Sequence, residues 1–372
     1  MRGKCGGGGG GGGDTVPVLA HVVLLLSFFV TTTVTGLPSG QLVDVFKAGE
    51  EGYYCIKIPD LVVTGNGSLL AFGEARVSNC SDYAETHLVM KRSTDLGRTW
   101  SRLQVVHREA GAVIGNAAPV VLRTSGRILL PHCRNNLNIF LTYSDDDGLS
   151  WSAPVHVPNA VDPSWHWVGL GPPGGLHLQS GRVLIPAYYD NVGPHWDDGQ
   201  FTHIHVMYSD DEGATWHIGA QVQQHEGDEF SNENQAAELL NGTLIFNART
   251  MLTHRFLISS HDGGKTYAHD GALATTLVQP VDGCEGSTVR APTNDTLYYS
   301  GPTATTLRYN MTLHHSTDYG ATWAPLRVVD KGPSGYSALA FLPTGQLGML
   351  YERSPDLRVV FVPTAISFLV VM

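Results

Sequence analysis

Cysteine is scarce in this 372-residue chain, with five residues in all, one of which, Cys5, lies in a glycine-rich leader. The other four, Cys55, Cys80, Cys133 and Cys284, are too few for a disulfide scaffold, and no Cys-x-x-Cys or paired histidine spacing points to zinc. One disulfide is compatible with them and none is required. Basic residues are also few. Setting aside Arg2, Lys4 and Asp14 of the leader leaves 21 basic and 33 acidic residues, a net charge near −12. That balance argues against nucleic acid as a partner and is compatible with a soluble acidic compartment. Helical periodicity is missing, since no stretch of 15 residues carries a 3.6-residue apolar period. The glycine-rich run Gly169 to Gly175 precedes no helix, so it does not cradle phosphate.

Against these absences stands one motif repeated five times, Ser-x-Asp-x-Gly-x-Thr/Ser-Trp/Tyr. It occupies Ser93 to Trp100, Ser144 to Trp151, Ser209 to Trp216, Ser260 to Tyr267 and Ser316 to Trp323. An eight-residue pattern of this kind arises by accident at roughly one position in a million. The serines are 51, 65, 51 and 56 residues apart, a spacing typical of propeller blades. Asp and Ser can bond the turn backbone, Gly supplies positive φ and the aromatic packs on the hairpin. Each Asp-box therefore reads as a stabilised hairpin turn, with no catalytic role for its lone carboxylate.

Short β-branched runs such as Leu61-Val62-Val63, Arg182-Val183-Leu184-Ile185 and Thr243-Leu244-Ile245-Phe246 separate the boxes. A mean repeat near 56 residues divides the 336 residues from 37 to 372 into six units, so the expected fold is all-β: a six-bladed β-propeller in which one blade lacks a recognisable box. Residues 37–372 would form a single catalytic domain. Residues 1–36 differ, with an uncharged apolar stretch from Val16 to Val30 and small residues after it, the pattern of a signal peptide. An uncleaved leader would instead anchor the chain to a membrane. Five N-x-Ser/Thr sequons, at Asn66, Asn79, Asn241, Asn294 and Asn310, agree with a glycoprotein of the secretory pathway, whether lysosomal, extracellular or membrane-anchored. The apolar tail Val359 to Met372 is expected to supply buried strands that close the propeller.

Several segments between the boxes carry a resemblance: Ile58-Pro59 after a basic residue, Asn232-Glu233-Asn234-Gln235 leading to Asn247-Ala248-Arg249, and Gly335-Tyr336-Ser337 leading to Leu350-Tyr351-Glu352. Together with the serial boxes they resemble the sialidase (exo-α-neuraminidase) family, with a flavour of its animal lysosomal-type members. The resemblance implies a retaining glycosidase with a tyrosine nucleophile, the recognised exception to the two-carboxylate scheme. By that resemblance Tyr336 is the nucleophile, Glu233 takes its proton and Asp82 is the acid/base. Arg249 and Arg308 are two of three arginines around the substrate carboxylate, and Arg76 lines the same pocket. The third arginine is replaced by Lys57, which keeps the charge and loses the bidentate fork. Glu352 resembles the glutamate that supports it, so a Lys57–Glu352 pair is expected.

The residue types also make chemical sense without the resemblance. A sugar with a carboxylate on its anomeric carbon would repel an anionic nucleophile, whereas a neutral phenol meets no such charge until a base removes its proton. With an unperturbed pKa of about 10, the phenol needs that base. No metal or organic cofactor is expected. The expected partners are sialylated glycans, with no nucleic acid and no obligatory protein partner. Two alternatives stand beside hydrolysis of terminal α-linked sialic acids: a non-catalytic glycan-binding propeller, and a sialidase-like enzyme with altered sugar specificity or trans-glycosylation because of Lys57. Trp165-His166-Trp167 and the glycines after it would form either an aromatic rim of the site or a packed loop.

Overall fold

The structure, a computed structural model, describes residues 9–11, 40–191, 202–222, 231–354 and 363–372. The chain divides into two compact units, Met1–Val34 and Thr35–Met372. The signal-peptide or anchor expectation for residues 1–36 lies outside the described residues, apart from Gly9 to Gly11, and so do residues 359–362 of the tail.

Among its described residues the second unit is all-β apart from one 3₁₀ turn, Pro158–Ala160. After β1 (Val43–Lys47), β2 (Cys55–Val63), β3 (Leu69–Arg76), β4 (Thr86–Ser93) and β5 (Gln104–His107) form one antiparallel sheet. The next sheet contains β6 (Ile114–Gly115), β7 (Val120–Val121), β8 (Ile128–Arg134), β9 (Asn138–Ser144) and β10 (Val155–His156). A third contains β11 (Trp167–Leu170), β12 (Leu176–His177), β13 (Val183–Asp190), β14 (Thr202–Ser209) and β15 (His217–Gln221). The fourth runs through β16 (Ser231–Glu238), β17 (Leu244–Thr250), β18 (His254–Ser260) and β19 (Ala272–Val278).

The remaining strands are β20 (Ser287–Arg290), β21 (Leu297–Pro302), β22 (Tyr309–Ser316), β23 (Ala324–Phe341), β24 (Leu347–Arg353) and β25 (Ala365–Val370). By unbroken pairing they join β1 in one seven-stranded path. The 18-residue β23 serves twice: residues Ala324–Pro333 pair with β22, and Ser334–Phe341 pair with β24. Division of β23 at that point gives two further four-stranded groups, the last completed by β1 from the start of the domain. The strand of the apolar tail, β25, is buried along its length between β24 and β1.

Apolar clusters fill the spaces between successive sheets. Leu70, Phe72 and Met90 meet Ile114 and Leu130; Leu184 and Val206 meet Ala236 and Phe246; Met311 and Leu313 meet Leu339 and Met349. Each fully buried Leu, Met or Phe contributes about 1.5–3 kcal/mol. Between them they join the sheets into a propeller.

All five Asp-boxes sit at the same topological place, the turn from the third to the fourth strand along a pairing path such as β2-β3-β4-β5, with the short β7 and β12 standing off the paths β6-β8-β9-β10 and β11-β13-β14-β15. In the first, Ser93 Oγ bonds Asp95 Oδ1, the Gly97 N–H donates to Ser93 Oγ, and Thr99 donates its N–H and hydroxyl to the Asp95 carboxylate. Bonds of this pattern recur around Asp146, Asp211, Asp262 and Asp318. The residue before the box glycine takes positive φ every time: Leu96, Asp147, Glu212, Gly263 and Tyr319. The boxes hold turns, as their sequence predicts.

Candidate active site

Chain direction separates the boxes from the chemistry. Lys57 and Glu233 lie near the start of a first strand, Arg76 and Arg249 near the end of a second, and Arg308 immediately before a third. In an antiparallel sheet these points share one end, opposite the turn from third to fourth strand. The site therefore lies across the propeller from the boxes.

Backbone irregularities aim the side chains. The ladder breaks register between Lys57 and Asp60, between Ser231 and Asn234, and between Ser334 and Ser337. Glu233 and Tyr336 fall inside the second and third breaks. A bulge turns a side chain out of its regular alternation and frees backbone N–H groups. Ile58, inside the first break, has φ of 55°, a strained value for a β-branched residue. Carboxylates take up the freed donors: Glu352 accepts the Ile58 N–H at 2.9 Å and the Tyr336 N–H at 3.2 Å.

Tyr336 Oη donates to Glu233 Oε1 in a short bond between residues 103 positions apart. Arg249 Nη1 is 2.8 Å from Glu233 Oε2 and 3.1 Å from Tyr336 Oη, and its Nε and Nη2 donate to the Asp282 carbonyl. The Arg308 guanidinium lies 5.4 Å from the centre of the Tyr336 ring. Burial and the nearby Glu233 carboxylate push the Tyr336 hydroxyl well above its ordinary pKa, against the pull of Arg249 and Arg308. The phenol is thus protonated at rest, its proton directed at a carboxylate.

Asp82 stands in the loop after β3. Its Oδ1 is 2.6 Å from Arg76 Nη1 and 3.6 Å from Lys57 Nζ. The side chain is 68% exposed, and although partial desolvation by the surrounding protein acts to raise its pKa, Lys57, Arg76 and Arg308 outweigh that and hold the carboxyl below the usual aspartate range. The loop is tied down on both sides: Cys80 is disulfide-bonded to Cys55 on β2, and its carbonyl accepts Arg76 Nη1 at 2.7 Å. Arg76 is itself buried and paired with Glu74 at 3.1 Å, whose other oxygen accepts the Asn116 N–H.

One expected pairing is arranged differently. Lys57 forms its ion pair with Asp82, while the Glu352 carboxylate holds two backbone N–H groups and is influenced by Lys57 only through space. Trp165 stacks on Tyr189 at 4.4 Å within the core, so it is a packed residue and not part of a rim.

Sequence reasoning missed two residues. Tyr188 is buried, lies within electrostatic reach of Glu233 and Arg249, and occupies space that any side chain at Gly169 would fill. Glu285 is buried behind the nucleophile and accepts the Ser337 N–H at 2.7 Å. Neither sits in a motif, so no local signal points to it. Among the described residues no group of three or more His, Cys, Asp or Glu is arranged to hold a metal.

A model of the BNR repeat-like domain matches residues 134–349, more than half of the chain. A sialidase of Bacteroides fragilis is 29% identical over 84% of this chain and 62% of its own length, and one of Micromonospora viridifaciens 28% over 85% and 52%. This chain thus spans only about half to three-fifths of those two bacterial relatives. Human Sialidase-3 is 27% identical over 83% of this chain and 88% of its own length. Among solved structures, the Hadza microbial sialidase Hz136 superposes with a TM-score of 0.77 at 27% identity, covering 88% of this chain and 68% of that one. With boxes, sheet order and relatives in agreement, the chain belongs to the BNR repeat-like domain family and is similar to the sialidases.

Proposed function

We propose that this protein is a retaining exo-sialidase that releases terminal α-linked sialic acids from glycoproteins, glycolipids or oligosaccharides through a tyrosyl-enzyme intermediate. The observation that carries the reading is the Tyr336–Glu233 hydrogen bond, a nucleophile and its base in contact and flanked by Arg249.

Arg249, Arg308 and Lys57 supply positive charge for the substrate carboxylate. Glu233 takes the phenolic proton as Tyr336 Oη bonds to the anomeric carbon. Asp82, protonated, gives its proton to the leaving glycosidic oxygen, and the C–O bond to the aglycone breaks. In the second half Asp82 takes a proton from water, whose oxygen attacks the anomeric carbon. The Tyr336 C–O bond then breaks and the phenol recovers its proton from Glu233. Two displacements at one carbon retain configuration. The cations that hold Asp82 ionised at rest favour turnover at acidic pH. The apolar leader and the sequons support delivery through the secretory pathway.

The test is release of fluorophore from an α-sialoside, with the first-formed anomer read by NMR. Tyr336→Phe should lower kcat by orders of magnitude. Full activity in that variant, or an inverted first product, would sink the mechanism.

A further inference from the structure

Glu233 is the proposed base and Glu352 holds the Ile58 and Tyr336 N–H groups, which leaves another buried carboxyl beside them, Glu285, without a role. Its Oε2 accepts the Ser337 N–H at 2.7 Å, and its Oε1 is buried without a hydrogen-bond partner. Ser337 follows Tyr336 at the far edge of the register break, so two successive N–H groups on the nucleophile's segment donate to carboxyls, Tyr336 to Glu352 and Ser337 to Glu285.

We propose that Glu285 is a positioning residue, a carboxylic acid kept uncharged beneath the nucleophile, which fixes the Tyr336–Ser337 backbone without adding a second negative charge beside Glu233. An ionised carboxylate has about four acceptor sites to satisfy, and here one donor reaches it. The neighbouring groups do not compensate. The charge of the buried Arg255 on β18 favours the ionised form, but its hydrogen-bond donors go to Asn247, Gln279 and the Cys284 carbonyl. Glu233 on β16 and Glu352 on β24 face Glu285 with like charge, and Tyr299 on β21 and the Cys284 thiol are neutral in such surroundings. Burial is the largest influence that keeps the Glu285 proton in place. A second anion here would oppose formation of the phenolate, because like charge disfavours ionisation of a neighbour.

The proposal rests on the sialidase reading for its kinetic consequence but not for its protonation state, and the experiment separates the two. An amide mimics an uncharged acid, so Glu285→Gln should keep kcat within about twofold with an unchanged pH profile, whereas Glu285→Ala should lower kcat by about tenfold or more while KM moves little. Stability is measured in parallel. An acid whose folded pKa is raised above its unfolded value of about 4.3 contributes stability at low pH that is lost as pH rises above that value, so the folded-to-unfolded ratio of wild type should fall relative to Glu285→Gln by up to about tenfold per pH unit. A constant difference between the two proteins from pH 4 to 8, or a Gln variant as inactive as the Ala variant, would overturn the proposal. If wild type turns over no sialoside, the function reading fails and the stability comparison still decides the state of Glu285.

Discussion

Lys57 and Asp82 form an ion pair with Nζ 3.6 Å from Oδ1, and the same oxygen receives Arg76 Nη1 at 2.6 Å. The lysine that stands where the resemblance implies an arginine therefore engages Asp82, the proposed acid. Lys57→Met should raise KM for a sialoside by about tenfold or more, because a charge-assisted contact is worth about 1.5–3 kcal/mol. It should also move the alkaline limb of kcat/KM to higher pH: with one cation removed the Asp82 pKa rises, and its acid form persists further. Lys57→Arg should lower KM by restoring the fork. Rate profiles from pH 3 to 8 on all three proteins check both claims; an unmoved limb in Lys57→Met would show that the pair has no influence on the acid.

Glu352 holds the Ile58 and Tyr336 N–H groups, one from each of two strands. Glu352→Ala leaves two buried donors unsatisfied, so urea unfolding should show a loss of about 2–5 kcal/mol, and kcat should fall with it. Glu352→Gln keeps one acceptor oxygen and should lie between.

The Cys55–Cys80 disulfide spans 25 residues and pins the loop that carries Asp82. Replacement of both cysteines by serine should cost on the order of 3 kcal/mol in stability. It should also lower kcat more than KM, since the loosened loop misplaces the acid while the cations for the substrate remain. Thermal melts and initial rates on the double variant measure the two effects separately.

Box carboxylates should behave otherwise. Asp318→Ala removes acceptors for the Thr322 N–H and hydroxyl and for Ser316 Oγ. A loss of about 1–3 kcal/mol is expected, with kcat and KM unchanged, because the turn lies at the opposite end of the blade. A changed KM would contradict that placement.

The pKa of the buried His205 imidazole, tilted against the Trp165 ring, is pushed by burial down to about 4. Its folded pKa lies below the unfolded value of about 6.5, so the unfolded chain binds the extra proton and stability falls as pH drops from 6.5 towards 4. His205→Phe should flatten the stability profile in that window by up to about 1.4 kcal/mol per pH unit, read from denaturant midpoints.

Much of the fold was legible because its signal is local. Ser, Asp, Gly and Thr within eight residues close their own hydrogen bonds, so the boxes announce turns wherever they stand. The long β23, shared between two strand groups, was only partly legible: Gly332-Pro333-Ser334-Gly335 falls where one partner strand gives way to the next, but such a run reads as a turn and not as the middle of one unbroken strand. The same holds for the site. Motif resemblance named Tyr336 and Glu233, but the expected Lys57–Glu352 pair turned into Lys57–Asp82, because side-chain partners across strands are set by register and not by spacing.

By itself, then, the sequence determined the repeat, the all-β class, the turn chemistry and which groups are candidates for the chemistry, all of which depend on residue type and short-range order. The tertiary structure decided what those groups meet. Three register breaks point Lys57, Glu233 and Tyr336 to one end of the propeller, and Glu352 and Glu285 take up the N–H groups that the breaks leave open. Contacts between distant residues, such as Ile58 with Glu352 294 positions away, exist only once the sheets have packed.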